Sequence, residues 1–127
     1  MTEARGRVIV LSEPLSLWGG MDPGTGEVID AHHPQRGASL AGRVVVMASG
    51  RGSSSSASVL AEAVRAGVAP AAILLAESDL ILAIGSTVAE ELYGRMVPVL
   101  VMAADRLAQI ADGAEVLVGV DGVVRTA

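Results

Sequence analysis

The sequence predicts one mixed α/β domain: a mixed or barrel-like sheet carrying short helices. Three observations predict it. Short apolar runs of strand length alternate with segments whose apolar residues fall at helical spacing. The chain closes on two strand-like segments flanking Asp121-Gly122, its strongest short-range hairpin signal. Finally, 127 residues that are 51% hydrophobic but only 2% aromatic must build their core from Val, Ile, Leu, Ala and Met, which suits a sheet packed closely by small helices.

Taken in order, Arg5 to Leu11 alternates and then runs apolar, a strand by pattern. Ser12 to Gly42 lacks periodicity and is rich in Pro and Gly; a short strand near Glu27 to Asp30 divides it. A loop of about thirty residues in a small domain points to function. Arg43 to Ala48 reads as a buried strand, followed by a glycine and serine turn, Ser49 to Ser56. Ala57 to Ala66 places Val59, Leu60, Ala63 and Val64 on one helical face, and Gly67 stops it. Ala71 to Ala76 and Leu80 to Ile84 read as two further strands, with Gly85 opening a short helix, Ser86 to Tyr93. Pro98 begins a strand through Met102, and Asp105 caps a short helix to Ala111. Glu115 to Val120 and Val123 to Arg125 form the closing hairpin.

Composition excludes several classes. The apolar content is too high for a disordered chain, and the 15 Gly and 5 Pro show no collagen-like period. Nine basic residues, all Arg, against fourteen acidic ones leave a net charge of −5. Without a basic cluster the chain is a poor binder of phosphate backbones, so no nucleic-acid partner is expected. With no cysteine it holds neither disulfides nor a thiolate metal site. The first residues are charged, and the longest apolar run, Val68 to Ala76, is about half of what a spanning helix needs, so no membrane partner is expected and the location expected is cytoplasmic. The apolar content also raises the question of a subunit interface, the alternative being an ordinary Ala-rich core.

Four places could carry chemistry. The first is Gly50-Arg51-Gly52-Ser53-Ser54-Ser55-Ser56, between a strand and a helix. Glycines allow close approach of a ligand, the helix N-terminus favours an anion, a deprotonated serine there could act as a base, and Arg51 is a fixed cation. The alternative is a serine turn whose hydroxyl caps the helix. The loop is not a Walker A sequence, because no Gly-Lys-Ser/Thr occurs. The second is Leu17 to Pro23, where Trp18, Gly19, Gly20 and Asp22 form either a substrate wall with a polar handle or a turn anchored by the chain's one Trp. The third is His32-His33, whose adjacent side chains diverge and make a poor metal pair; they read as surface loop histidines. The last comprises the acidic pairs Glu77/Asp79 and Glu90-Glu91, adequately explained as solvated faces.

Several separated motifs then occur in one order: Pro14 to Pro23 with Thr25-Gly26, His33-Pro34, Ser39 to Arg43, Gly50 to Ser53, Gly67-x-Ala69-Pro70-Ala71-Ala72-Ile73 and Leu82-Ala83-Ile84-Gly85. From about Arg7 to Met102 the chain resembles the small subunit of aconitase X. The resemblance implies that residues 1–127 form a swivelling β/β/α domain that closes over the active site of a large aconitase-like subunit, giving a heterodimer or a higher assembly. It implies a hydro-lyase in which Ser53 is the catalytic base. Gly50 and Gly52 shape its loop, and Arg51, Ser54, Ser55, Trp18, Gly19, Gly20 and Asp22 are the expected substrate contacts. The aconitase loop continues with a carboxylate-gripping Arg, where this chain has Ser55; Arg51 or the large subunit takes over that contact. Such enzymes hold the leaving hydroxyl on an iron or iron–sulfur centre, which a chain without cysteine leaves to its partner. Members dehydrate cis-3-hydroxy-L-proline or mevalonate 5-phosphate, and Gly50 to Ser53 with Glu91-Leu92-Tyr93-Gly94 looks more like the former, bacterial type. The competing reading is a non-catalytic swivelling module. A phosphoryl carrier would need His or Lys at the loop tip, where this chain has Ser and Arg.

Overall fold

A computed structural model describes residues 3–51 and 53–126. Strands β1 (Ala4–Val10), β2 (Val44–Met47), β3 (Ala72–Leu75) and β4 (Val99–Val101) run parallel, each stepping one place along the sheet. Strand β5 (Glu115–Val118) returns antiparallel to the other side of β1, and β6 (Val124–Thr126) pairs with it, giving the order β4-β3-β2-β1-β5-β6. Val8 lies opposite Val44, Val44 opposite Ala72, and Ile73 opposite Val99. The fold is the mixed-sheet α/β class expected from the sequence, with Asp121-Gly122 in the β5–β6 turn.

Continuous apolar runs form β2 and β3 because both sheet faces are covered. On one face Ile9, Val45, Met47, Ile73 and Leu75 meet α2 (Ser56–Ala66), α3 (Leu80–Tyr93) and the side chains of the β1–β2 loop. On the other face Val8, Val44, Val46, Ala72 and Leu74 meet Leu107 of α4 (Ala104–Leu107), together with Val116 and Val118 of β5. Gly67 ends α2 in the left-handed conformation, φ +77°, as its stop signal predicts.

The structure corrects the sequence reading in four places. Leu80 to Ile84 is not a strand, and Gly85 does not start a helix; both belong to the single helix α3. Five consecutive apolar residues fit either period. The decision falls to Asp79, whose Oδ1 accepts the Leu82 amide at 3.0 Å and caps the helix. Gly85 sits mid-helix because a Cβ there would stand 2.9 Å from the backbone of Ala57, so α2 and α3 pack main chain to main chain. The expected strand at Glu27 to Asp30 shrinks to isolated bridges from Val28 to Met21 and from Glu27 to Ser39. Asp105 does not cap α4; it lies in the first turn, after Ala103, and no side chain caps that end. Last, His33 is no surface residue, although His32 is exposed. The His33 ring is buried, bonded through Nε2 to the Glu13 carbonyl at 3.0 Å and accepting the Gln35 amide at Nδ1 (3.1 Å), a pairing that assigns the neutral Nε2–H tautomer.

The loop joining β1 to β2 is ordered by what it buries. Leu15, Leu17, Met21, Val28 and Leu40 enter the core beneath α2 and α3. Gln35 fixes its path by donating to the Val10 carbonyl at 2.6 Å and accepting from the Ser12 amide at 2.9 Å. The one-turn segment α1 (Leu17–Gly20) lies within it, broken by Trp18 (ψ 114°) and Gly19 (φ +76°).

Candidate active site

The serine loop leaves the C-terminal end of β2 and enters α2, the end of a parallel sheet where ligand sites collect. Its geometry begins at Gly50. A Cβ there would collide with Oδ2 of Asp79, so any larger residue would have to displace the carboxylate that caps α3. Arg51 follows, exposed, with its backbone N–H 3.5 Å from the Leu15 carbonyl and, among the described residues, no ion-pair partner. Gly52 lies outside the described residues. Ser53 is half-buried; its Oγ accepts the Ser55 amide at 3.3 Å, a local serine turn. Its carbonyl accepts the Ser56 amide at 2.9 Å and so begins the helix.

Ser54 is exposed, and Ser55, at the cap position of α2, makes no side-chain capping bond. The alternative reading, a serine turn whose hydroxyl caps the helix, therefore holds in part: Ser55 makes no such bond, but the Ser53 hydroxyl takes a free N–H of the turn that opens α2. The positive end of the eleven-residue helix α2 faces the Ser53 turn, and the Arg51 cation lies two residues away in sequence. Against these stands the Asp79 carboxylate, whose charge is partly met by the α3 amide it accepts.

Ser56 joins the first two candidate regions. It is buried, its Oγ accepts the Trp18 amide at 3.1 Å, and it lies 3.4 Å from the Ser16 hydroxyl. Leu15, Leu17, Gly50, Arg51, Ser53, Ser56, Asp79, Ile81 and Leu82 thus enclose one crevice, too tight to admit a water molecule. Trp18 stands 59% exposed beside it, and Gly19 faces open space. Gly20 and Asp22 serve the loop's own fold: Gly20 is buried against Leu15, and Asp22 accepts the Gly24 amide at 2.8 Å. Sequence reasoning missed Asp79, which it left on a solvated face, and the tie through Ser56. An aspartate directly before an apolar run, three residues ahead of Leu82, is the capping signal that could have revealed the first; nothing in the sequence pairs Ser56 with Trp18.

Leu15, Leu17, Gly50, Arg51, Ser53 and Leu82 of this crevice lie in the separated motifs, whereas Ser56, Asp79 and Ile81 do not. Residues 1–126 match the model of the aconitase X swivel domain. The chain belongs to the aconitase X swivel-domain family. Its fold superposes on the crystal structure of holo aconitase X from Thermococcus kodakaraensis with a TM-score of 0.86 and 33% identity, covering 98% of this chain and 90% of that one. It is 48% identical over 117 residues to a cis-3-hydroxy-L-proline dehydratase of Pseudomonas aeruginosa, covering 87% of this chain but 20% of that protein. It is also 42% identical over 87 residues to a phosphomevalonate dehydratase small subunit of Methanothermobacter thermautotrophicus, covering 68% of this chain and 66% of that one. The swivel domain thus spans about a fifth of the bacterial relative and about two thirds of the archaeal one.

The resemblance implies an iron or iron–sulfur centre for the whole enzyme. The residues here do not fit one: the chain has no cysteine, and no group of three or more His, Asp or Glu side chains comes together among the described residues. No helix among them is long and apolar enough to cross a membrane.

Proposed function

We propose that this chain is the small subunit of a two-subunit hydro-lyase in the cytoplasm, in which Ser53 removes the substrate proton. The observation that carries this is the placement of Ser53: on a turn at the positive end of α2, near Arg51, over a crevice that by itself has no room for a substrate. A large aconitase-like subunit supplies the rest of the site and whatever metal centre the reaction uses.

In the dehydration of a hydroxy acid, the Ser53 alkoxide takes the proton on the carbon beside the carboxylate. The electron pair of that C–H bond becomes the new C=C bond, and the neighbouring C–OH bond breaks, its oxygen leaving as hydroxide; the proton held by Ser53 then passes to that hydroxide, giving water and restoring the alkoxide. The chain's own contribution is to hold the alkoxide. The α2 N-terminus and Arg51 favour the anion electrostatically, and the Gly50 contact with Asp79 fixes where the loop begins. Arg51 is suited to fork the substrate carboxylate in the place of the arginine that the aconitase loop carries where this chain has Ser55. Trp18 and Gly19 form the open side of the site; Gly52, Ser54 and Ser55 complete the loop, while Gly20 and Asp22 shape the turn that presents Trp18.

The substrate we propose is cis-3-hydroxy-L-proline. The bacterial relative of that name is more similar and aligns over more of the chain than the archaeal small subunits do. Mevalonate 5-phosphate is the second reading, favoured by one observation: the relatives of comparable length are the phosphomevalonate dehydratase small subunits. Anaerobic co-production with the large subunit, followed by dehydration assays on both compounds, decides between them. Ser53→Ala is expected to lower turnover by about 10²–10⁴-fold with the complex intact. Equal turnover in the variant would remove Ser53 as the base. A stable, metal-loaded complex inactive on both compounds would reopen the substrate, and absence of any complex would favour a non-catalytic module.

A further inference from the structure

Helix α3 buries one side against α2 and the sheet through Leu82, Gly85, Ser86 and Ala89. An exposed flank of the same helix is also apolar, bordered by the exposed Thr87 and Glu91. Leu80 is 74% exposed, Ile84 48%, Val88 39% and Leu92 65%. At a spacing of four residues these side chains form one continuous stripe along the helix. A single exposed Leu needs no explanation, but four in register make a contiguous patch of the kind that soluble monomers rarely leave open.

The stripe starts at the serine crevice. Leu80 follows Asp79, whose carboxylate touches Gly50, and the next residue, Ile81, lines the crevice with Ser53. Trp18 stands exposed beside the same crevice. Whatever completes the space over Ser53 therefore meets Leu80 and Trp18 first.

We infer that the α3 stripe Leu80, Ile84, Val88 and Leu92, with Trp18 at its head, is the face on which the large subunit seats. This rests on the small-subunit reading above. Two observations choose that occupant. In the Pseudomonas relative this domain is a fifth of one longer chain, so a body about four times its size is attached to it. A second copy of this chain, by contrast, would bring together two molecules of net charge −5 and cover Ser53 without completing its site. Glu90 and Glu91 are exposed near the end of the stripe, so the matching face is an apolar groove with basic side chains at its edge.

The test measures association between this chain and the large subunit by sedimentation velocity, for the wild type, Ile84→Glu, Leu92→Glu and Val120→Glu. Val120, in the β5–β6 hairpin, is 66% exposed and serves as an equally apolar position off the stripe. All three are surface changes, and thermal melts confirm that each variant is folded. Each stripe variant is expected to weaken association at least tenfold, with Val120→Glu within twofold of wild type. Wild-type strength in both stripe variants, or equal weakening in Val120→Glu, would overturn the inference while leaving the small-subunit reading intact. If the wild type alone forms a dimer that Ile84→Glu abolishes, the stripe belongs to a second copy and the inference falls. If the wild type does not bind the large subunit at all, the small-subunit reading fails first.

Discussion

The loop between β1 and β2 and the loop between β2 and α2 have similar chemistry, rich in glycine and small polar residues, yet the fold holds them in opposite ways. The first threads Leu15, Leu17, Met21, Val28 and Leu40 into the core and locks its path with the His33 ring and the Gln35 carboxamide. The second buries no large side chain of its own before α2 begins; it rests on a 3.3 Å serine turn and a 3.5 Å contact to Leu15. Glycine content therefore says little about how firmly a loop is held. Buried side chains with satisfied polar groups decide it. The long loop is held from within, and the short one is an edge supported from one side.

Substitutions can break or sharpen that contrast. Leu40→Ala, deep in the long loop, is expected to cost about 2–5 kcal/mol, read from denaturant unfolding, because the pocket under α2 cannot collapse fully. His33→Ala leaves the Glu13 carbonyl and the Gln35 amide without their partner, and a loss of about 1–3 kcal/mol is expected. Ser53→Ala gives up one long hydrogen bond, so its stability should change by no more than about 1 kcal/mol. A Ser53→Ala loss as large as that of His33→Ala would abolish the distinction between the two loops.

The smallest effect lies outside both loops. The Glu62 carboxylate accepts the Arg65 guanidinium on the surface of α2 (Nε to Oε1, 2.9 Å), which lowers its pKa below the ordinary carboxylate value. A lowered folded-state pKa contributes stability that is present above the unfolded value and lost as the pH falls through the folded one. The difference in melting temperature between wild type and Glu62→Gln is therefore expected to be slight at neutral pH and to vanish in acid. A difference that grew on acidification would contradict the pairing.

Much of the fold was legible because its signals are local. The runs Val44 to Met47 and Ala72 to Leu75 are apolar through and through, as strands buried on both faces must be, and Gly67 stops α2 where its pattern ends. The serine loop was legible as a candidate site because glycine, serine and a cation between strand and helix suit anion chemistry whatever the rest of the fold. What escaped depends on distant partners. Leu80 to Ile84 carries no period of its own, and the choice of helix rests on Asp79 and on the Ala57 backbone across the interface. His33 looks like any loop histidine until the Glu13 carbonyl, twenty residues earlier, comes to meet it.

The contact of Gly85 with Ala57 has a further consequence. It leaves no compliant side chain between two helices, one carrying Ser53 at its head and the other the apolar stripe along its back. The two act as one ruler. An enlarged residue at position 85 would re-space that ruler, so that, on the proposed reading of Ser53 as the base, the distance from serine to substrate changes while every group at that centre stays chemically the same. A graded series at this one interior position would then tune catalytic rate through alignment alone.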